Sequence, residues 1–256
     1  MRSSIVSGVF LSVVLLCGAA SAQDFPLNRG LQATKPENIR LGAYLPRPPW
    51  SAIGRVNRRP GGFCSGTLIT RIKVLTPAHC VWNRSRKVWI PSEDLHFLAG
   101  YHLGKYVEHR RIAYVELADN VDITRRGYPR NPKNDWAVLT LDRAISANAS
   151  IHPIARLRSR RIKPSKLGPL VRAGYSPYRP YALSSNSCRA VGMFGRSLLM
   201  HSCDATFADS GHPILVQTGQ GWRLLGLQTV THKKNKKMNG LGMAVLVSAI
   251  PERLTR

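Results

Sequence analysis

The chain has 256 residues, with 38 lysines and arginines against 13 aspartates and glutamates and a formal net charge of +25. That length suits one large or two small domains. Nothing after the first 22 residues is long and apolar enough to cross a bilayer as a helix, which excludes a helical membrane anchor in the mature chain.

Met1 to Ala22 reads as a secretory signal, with Arg2 as the charged start, Ile5 to Leu16 as the apolar stretch and Ala20-Ser21-Ala22 as the cleavage site. A soluble exported chain, secreted or periplasmic, is expected. Residues 23–40 are polar, contain Pro and Gly and lack periodicity; they read as a pro-segment or a loose arm. From Trp50 onward short apolar runs alternate with turn signals. Strands are expected at Ser51 to Val56, Ser65 to Ile69, Val74 to Thr76, Leu95 to Gly100, Tyr106 to Leu117 and Ala137 to Leu141. A Pro-, Arg- and Ser-rich connection follows, from about Ala147 to Gly168. The second set is Leu170 to Ala173, Arg189 to Met193, Leu198 to His201, Ile214 to Gln217, Trp222 to Val230 and Met243 to Val247. Two groups of about six strands with few helix signals predict an all-β fold of two antiparallel β-barrels, residues 41–150 and 151–256, with a site in the cleft between them.

Basic clusters fall at Arg84-Ser85-Arg86-Lys87, His109-Arg110-Arg111, Arg156 to Lys166 and Lys233-Lys234-Asn235-Lys236-Lys237. They lie between predicted strands and read first as solvated loop surface. The alternative is contact with an anionic surface or polymer. A nucleic-acid protein has the charge but here no binding motif. Four cysteines remain after the signal, an even count that favours disulfides in an exported chain. Three pairings are open. Cys64–Cys80 and Cys188–Cys203 are chosen because each pair sits on neighbouring apolar segments. No Cys-x-x-Cys and no closely spaced run of acids appears, so neither metal nor cofactor is expected.

Three segments carry chemistry. Thr76-Pro77-Ala78-His79-Cys80 ends an apolar strand with a histidine. Asn134-Asp135-Trp136-Ala137-Val138-Leu139 opens another with an aspartate. Cys203-Asp204-Ala205-Thr206-Phe207-Ala208-Asp209-Ser210-Gly211-His212-Pro213 sets a serine in a small-residue turn. A serine hydroxyl needs a neighbouring base to become a nucleophile, and His, Asp, Ser is a known chain order for such a triad. With Phe63-Cys64-Ser65-Gly66-Thr67-Leu68-Ile69, these segments resemble the trypsin-like, chymotrypsin-fold serine proteases over about Pro49 to the C-terminus.

The resemblance implies an exported endopeptidase. Ser210 is its nucleophile, His79 the general base and acid, and Asp135 the group that orients the imidazole. Ala208 and Ser210 supply the oxyanion hole. Asp204, Thr229 and Gly242 contact substrate, with Asp204 selecting Arg or Lys. Asp209 receives an amino terminus freed by cleavage, here after Arg40 to release Leu41. The resemblance also supports the Cys64–Cys80 pair. Ala208 and His212 replace family glycines, Thr231 falls where a pocket-entrance glycine is usual, and Pro77 replaces an alanine. These departures define the alternative: a weak or inactive relative that holds an anionic partner through its basic clusters.

Overall fold

The computed structural model describes residues 47–59, 61–147, 150–157, 162–203, 209–231 and 241–255. The expected signal, the arm to Arg40, Leu41, Asp204, Ala208 and the Lys233 to Lys237 run lie outside them, as does the side chain of Thr231.

The fold is all-β. The first eight strands are β1 (Ile53–Arg58), β2 (Phe63–Leu68), β3 (Lys73–Thr76), β4 (Trp82–Asn83), β5 (Val88–Trp89), β6 (Leu95–Ala99), β7 (Glu108–Leu117) and β8 (Ala137–Leu141). Six of them close an antiparallel barrel in the order β1-β2-β3-β8-β7-β6, while β4 and β5 pair as a separate hairpin. Closure removes the open edges that a six-stranded sheet would leave. Its interior is small, and two glycines make room in it. Gly54 and Gly66 lie opposite each other on β1 and β2; the Phe97 ring occupies the space a Cβ at Gly54 would need, and the Val56 and Val74 methyls that at Gly66.

The remaining strands are β9 (Leu170–Ser176), β10 (Arg179–Cys188), β11 (Ala190–Phe194), β12 (Leu198–His201), β13 (Pro213–Thr218), β14 (Gly221–Thr231) and β15 (Gly242–Leu246). They form one seven-stranded sheet in the order β10-β9-β13-β14-β15-β12-β11. The expected second barrel of about six strands is therefore a seven-stranded sheet. The added member is β10, whose Ser-rich Ser184-Ser185-Asn186-Ser187 stretch carries no strong β-forming signal. It forms because Ser184 to Cys188 pair in register with Leu170 to Gly174 of β9.

The main core runs through both halves, from Val56, Leu75, Phe97 and Leu139 to Tyr175, Leu215 and Leu227. Tyr175 is the bolt between them. It is fully buried, its hydroxyl donates to the Tyr101 carbonyl at 2.7 Å, and its backbone N–H donates to Ser65 Oγ at 2.8 Å. Arg55 adds a second tie, donating to the Pro180 carbonyl at 2.9 Å with its guanidinium over Phe63 and Tyr101.

Candidate active site

Strand register brings the first two groups together. Thr76, the last residue of β3, lies opposite Ala137, the first of β8. The chain just beyond one and just before the other is therefore adjacent in space. After β3, Pro77 takes an extended conformation (ψ 147°) and opens the 3-10 turn Ala78–Val81 that carries His79. Pro77 lacks an N–H, and at the start of a helical turn none is needed. Asp135 follows the 3-10 turn Pro132–Asn134. That turn is anchored by Asn134, whose amide donates to the Asp119 carbonyl at 2.9 Å.

Asp135 is fully buried and His79 nearly so. The His79 backbone N–H donates to Asp135 Oδ1 at 2.9 Å, and the ring Nδ1 lies 2.7 Å from Oδ2. The Thr229 hydroxyl donates to the same Oδ2. Burial by itself pushes the Asp135 carboxyl up. The neighbouring His79 charge and these three hydrogen bonds outweigh it and hold the group below the usual carboxylate range. An anionic carboxylate fixes the proton on Nδ1 and leaves Nε2 as an acceptor. Ser210 Oγ stands 2.7 Å from Nε2, placed to donate its proton there.

The serine is positioned by both halves. Its carbonyl accepts the Ser65 N–H of β2 at 3.1 Å, and the following Gly211 N–H donates to Gln228 of β14 at 3.0 Å. Gly211 has φ +82°, and a Cβ there would lie 2.1 Å from the Ser65 carbonyl oxygen. This turn needs glycine on both counts. Ser65 is a hub: its carbonyl also accepts the Thr76 hydroxyl at 2.9 Å.

Three residues singled out in the sequence have contacts within the chain here. Asp209, expected to await a freed amino terminus, is bonded to Arg172 of β9, with Nη1 at 2.8 Å from Oδ2 and both side chains buried. Arg172 Nε also donates to Asn186 Oδ1 of β10 at 3.1 Å. A buried carboxylate demands a cation, and this chain supplies one from its own sheet. Thr229, expected at the substrate, turns its hydroxyl to Asp135. Gly242, expected to leave room for a substrate side chain, faces His201. A Cβ on it would lie 2.2 Å from the His201 ring and 2.8 Å from Gln228 Oε1.

His212 lies two residues after the serine, and Gly174 leaves its ring room. A Cβ on Gly174 would lie 2.2 Å from the His212 ring. Nε2 of that ring is 3.0 Å from the Tyr175 carbonyl. Burial pushes the His212 imidazole down to about 4, with Arg172 acting in the same direction and Asp209 opposing. The ring is therefore neutral at pH 7, and Nε2–H donates to Tyr175. His201 is also fully buried, and burial pushes it to about 3. Among the described residues neither ring nitrogen makes a well-formed hydrogen bond, and the Gln228 side chain acts on the ring against burial. It stands within 4.8 Å of both Cys188 and Cys203 sulfurs. Those sulfurs are joined to each other, as are Cys64 and Cys80, so no thiolate is offered to a metal there.

These buried histidines give the fold an acid sensitivity. An unfolded imidazole takes up a proton near pH 6.5, whereas His212 does so only near 4. Between those values the unfolded chain binds more protons, so stability rises with pH and is lost as pH falls through the window. The His212 gap alone corresponds to roughly 3 kcal/mol. Guanidinium unfolding at pH 7.0 and 4.5 should show a drop of that order, and a smaller one in His212→Asn. A wild-type midpoint unchanged between the two pH values would refute a buried neutral His212.

Beside the triad-like cluster, an apolar cleft of about 770 Å³ is lined by Pro132, Phe194, Leu198, Met200, Val230 and Met243, with Arg130, Lys133 and Arg196 among its other walls. Val230 follows Thr229 and Lys133 precedes Asp135 by two, so the cleft adjoins the hydroxyl–imidazole–carboxylate chain. A half-buried serine hydroxyl, hydrogen-bonded to an imidazole backed by a carboxylate, can be deprotonated as it attacks an electrophilic carbonyl.

Sequence reading missed Arg172, Gln228, His201 and Gly174. Only Arg172 carried a signal: it is a lone charge inside the apolar run Leu170-Val171-Arg172-Ala173, and a buried charge needs a partner.

A family model described as Trypsin matches residues 42–251. Among solved structures, the chain is similar to the one titled "Structure of Glu endopeptidase in complex with MPD". The two are 16% identical, the match covers 82% of this chain and 90% of that one, and the TM-score is 0.63. At that identity the likeness is one of fold.

Proposed function

This chain belongs to the trypsin family, and from that premise we propose that it is an exported serine endopeptidase in which Ser210 attacks the scissile carbonyl. The observation that carries this reading is the unbroken chain Ser210–His79–Asp135, with its two side-chain links both at 2.7 Å. His79 Nε2 takes the serine proton during attack and returns it to the leaving amine. Asp135 keeps the proton on Nδ1 and stabilises the imidazolium that forms. The Thr229 hydroxyl holds Asp135. The Ser210 backbone N–H, with that of Ala208, is assigned to the oxyanion. Water then releases the acyl group by the same proton route in reverse.

Peptide substrates lie along the apolar cleft beside Val230. We assign the preference for Arg or Lys to Asp204, six residues before Ser210 and directly after the disulfide-anchored Cys203, since a carboxylate matches a guanidinium bidentately. Because Asp209 already has Arg172, we infer that ordering of this turn needs no amino terminus freed at Leu41.

The test is a fluorophosphonate probe on purified protein, with the adduct located by mass spectrometry. A stoichiometric adduct on Ser210, absent in His79→Ala, is expected without prior proteolysis. No adduct from folded protein with both disulfides formed would refute an assembled nucleophile. An adduct only after cleavage near Arg40 would refute the built-in cation.

A further inference from the structure

The basic segment Arg84-Ser85-Arg86-Lys87 has no part in the chemistry above. It forms the turn between β4 and β5, and it is held rigidly. Asn83 Oδ1 accepts the backbone N–H of both Ser85 and Arg86 at 3.0 Å. Lys87 closes the turn with φ +58° and donates its N–H to the Asn83 carbonyl at 2.7 Å. Below it, Trp82 and Trp89 pack edge to face at 5.0 Å. This turn and the end of β1 enclose a concavity of about 510 Å³ lined by Arg59, Asn83, Ser85, Arg86 and Asp94.

Two further arginines stand beside it, each in space that a glycine keeps open. A Cβ on Gly62 would lie 2.4 Å from Arg58 Nη2, and one on Gly127 would lie 2.4 Å from Arg84 Nε. Both glycines have φ +77°. Arg58 Nε is buried with no hydrogen-bond partner among the described residues. Burial, then the nearby Arg84 charge, lower the Arg58 guanidinium from its ordinary value. Like charges held together destabilise an empty fold and favour an arriving anion. Among the described residues Asp94 is the one acid lining the concavity, and it meets the Arg59 guanidinium at 3.2 Å.

We propose that this pocket binds the sulfate or phosphate ester groups of an anionic glycan. Guanidinium groups match such oxyanions as two-pronged donors. The pre-set turn means little ordering cost on binding. The pocket is concave and sized for one or two sugar rings, unlike the flat contact a bilayer surface makes. Asn83, Ser85 and Asp94 offer neutral donors and one acceptor suited to sugar hydroxyls. None of the five lining residues is aromatic, so the concavity itself offers no ring face to a nucleic-acid base. The site shares no residue with the triad or the apolar cleft, and it stands whether or not the chain hydrolyses peptides.

The experiment is calorimetric titration of the full-length mature protein with a heparin hexasaccharide at two salt concentrations. Arg59→Gln/Arg86→Gln should weaken binding more than tenfold and make its salt dependence shallower. Lys163→Gln/Lys166→Gln removes the same charge from an exposed turn elsewhere and should change affinity less than threefold. Ser85→Glu adds a carboxylate at the rim without removing packing, and it should also weaken binding more than tenfold if the arginine pair proves unfolded. Equal losses for the two charge-matched pairs would overturn the pocket in favour of net charge alone. A single-stranded DNA oligonucleotide of matched charge bound as tightly through the same arginines would overturn the glycan. So would recruitment to phosphatidylglycerol vesicles without hexasaccharide binding.

Discussion

Replacing Arg172 with methionine should cost about 3–5 kcal/mol of folding stability and, in whatever still folds, most of the reactivity of Ser210. The cost is not the loss of one attractive contact. Methionine keeps most of the volume, but it takes the Arg172 guanidinium away from the buried Asp209 carboxylate beside Ser210 and its Nε–H donor away from Asn186. His212 cannot take over the role cheaply: its Nε2 is 3.8 Å from Asp209 Oδ1, and burial keeps its ring neutral. Relaxation of the turn toward water would carry Ser210 away from His79. The double variant Arg172→Met/Asp209→Asn removes both charges and should recover much of the stability, because what destabilises is the unpaired ion. Guanidinium midpoints for the wild type, the single and the double variant, read alongside fluorophosphonate labelling rates, decide it. A single variant with the wild-type midpoint and labelling rate would show that Asp209 does not depend on Arg172.

Removing the imidazole should have the largest effect on turnover. For His79→Ala a fall in kcat on the order of 10⁶ is expected, because nothing else lies within reach of the Ser210 proton among the described residues. Ser210→Ala should fall as far, and the pair together little further, since both act in one step. Asp135→Asn should cost about 10⁴, by letting the ring settle with its proton on the wrong nitrogen. Single-turnover hydrolysis of a peptidyl-arginine anilide measures all four. If Ser210→Ala and His79→Ala lost independent, multiplying factors, the two residues would not share a step. If the wild type itself showed no hydrolysis while labelling normally, the choice of Arg and the role of Asp204 would be at fault rather than the nucleophile.

Much of the architecture was legible because short motifs are tied to strand ends. The apolar runs before His79 and after Asp135 read as strands, and their pairing as β3 and β8 places the two side chains together. What escaped the sequence were relations carried by tertiary contact. β10 reads as a polar loop until β9 offers it a ladder. Thr229 sits in an apolar run whose alternation does not say which neighbour its hydroxyl meets. His212 looks like a defect in isolation, and only the fold shows that Gly174, thirty-eight positions earlier in the chain, supplies the missing space. Arg172 was visible as an oddity, a charge inside a strand. Its partner was visible too, as Asp209. The link between them belongs to the sheet, where Arg172 lies opposite Ile214 on β13, the strand that leads back to the serine turn.

The Arg172–Asp209 pair also bears on how such a protein would be governed. A cation delivered by a cut end records an event: the molecule is one thing before the cut and another after, and the change is irreversible. A cation encoded within a strand records nothing. If Arg172 is the cation this turn needs, each copy would arrive at its finished state as soon as the sheet closes, and timing would pass from a processing enzyme to whatever controls when and where the chain is allowed to fold.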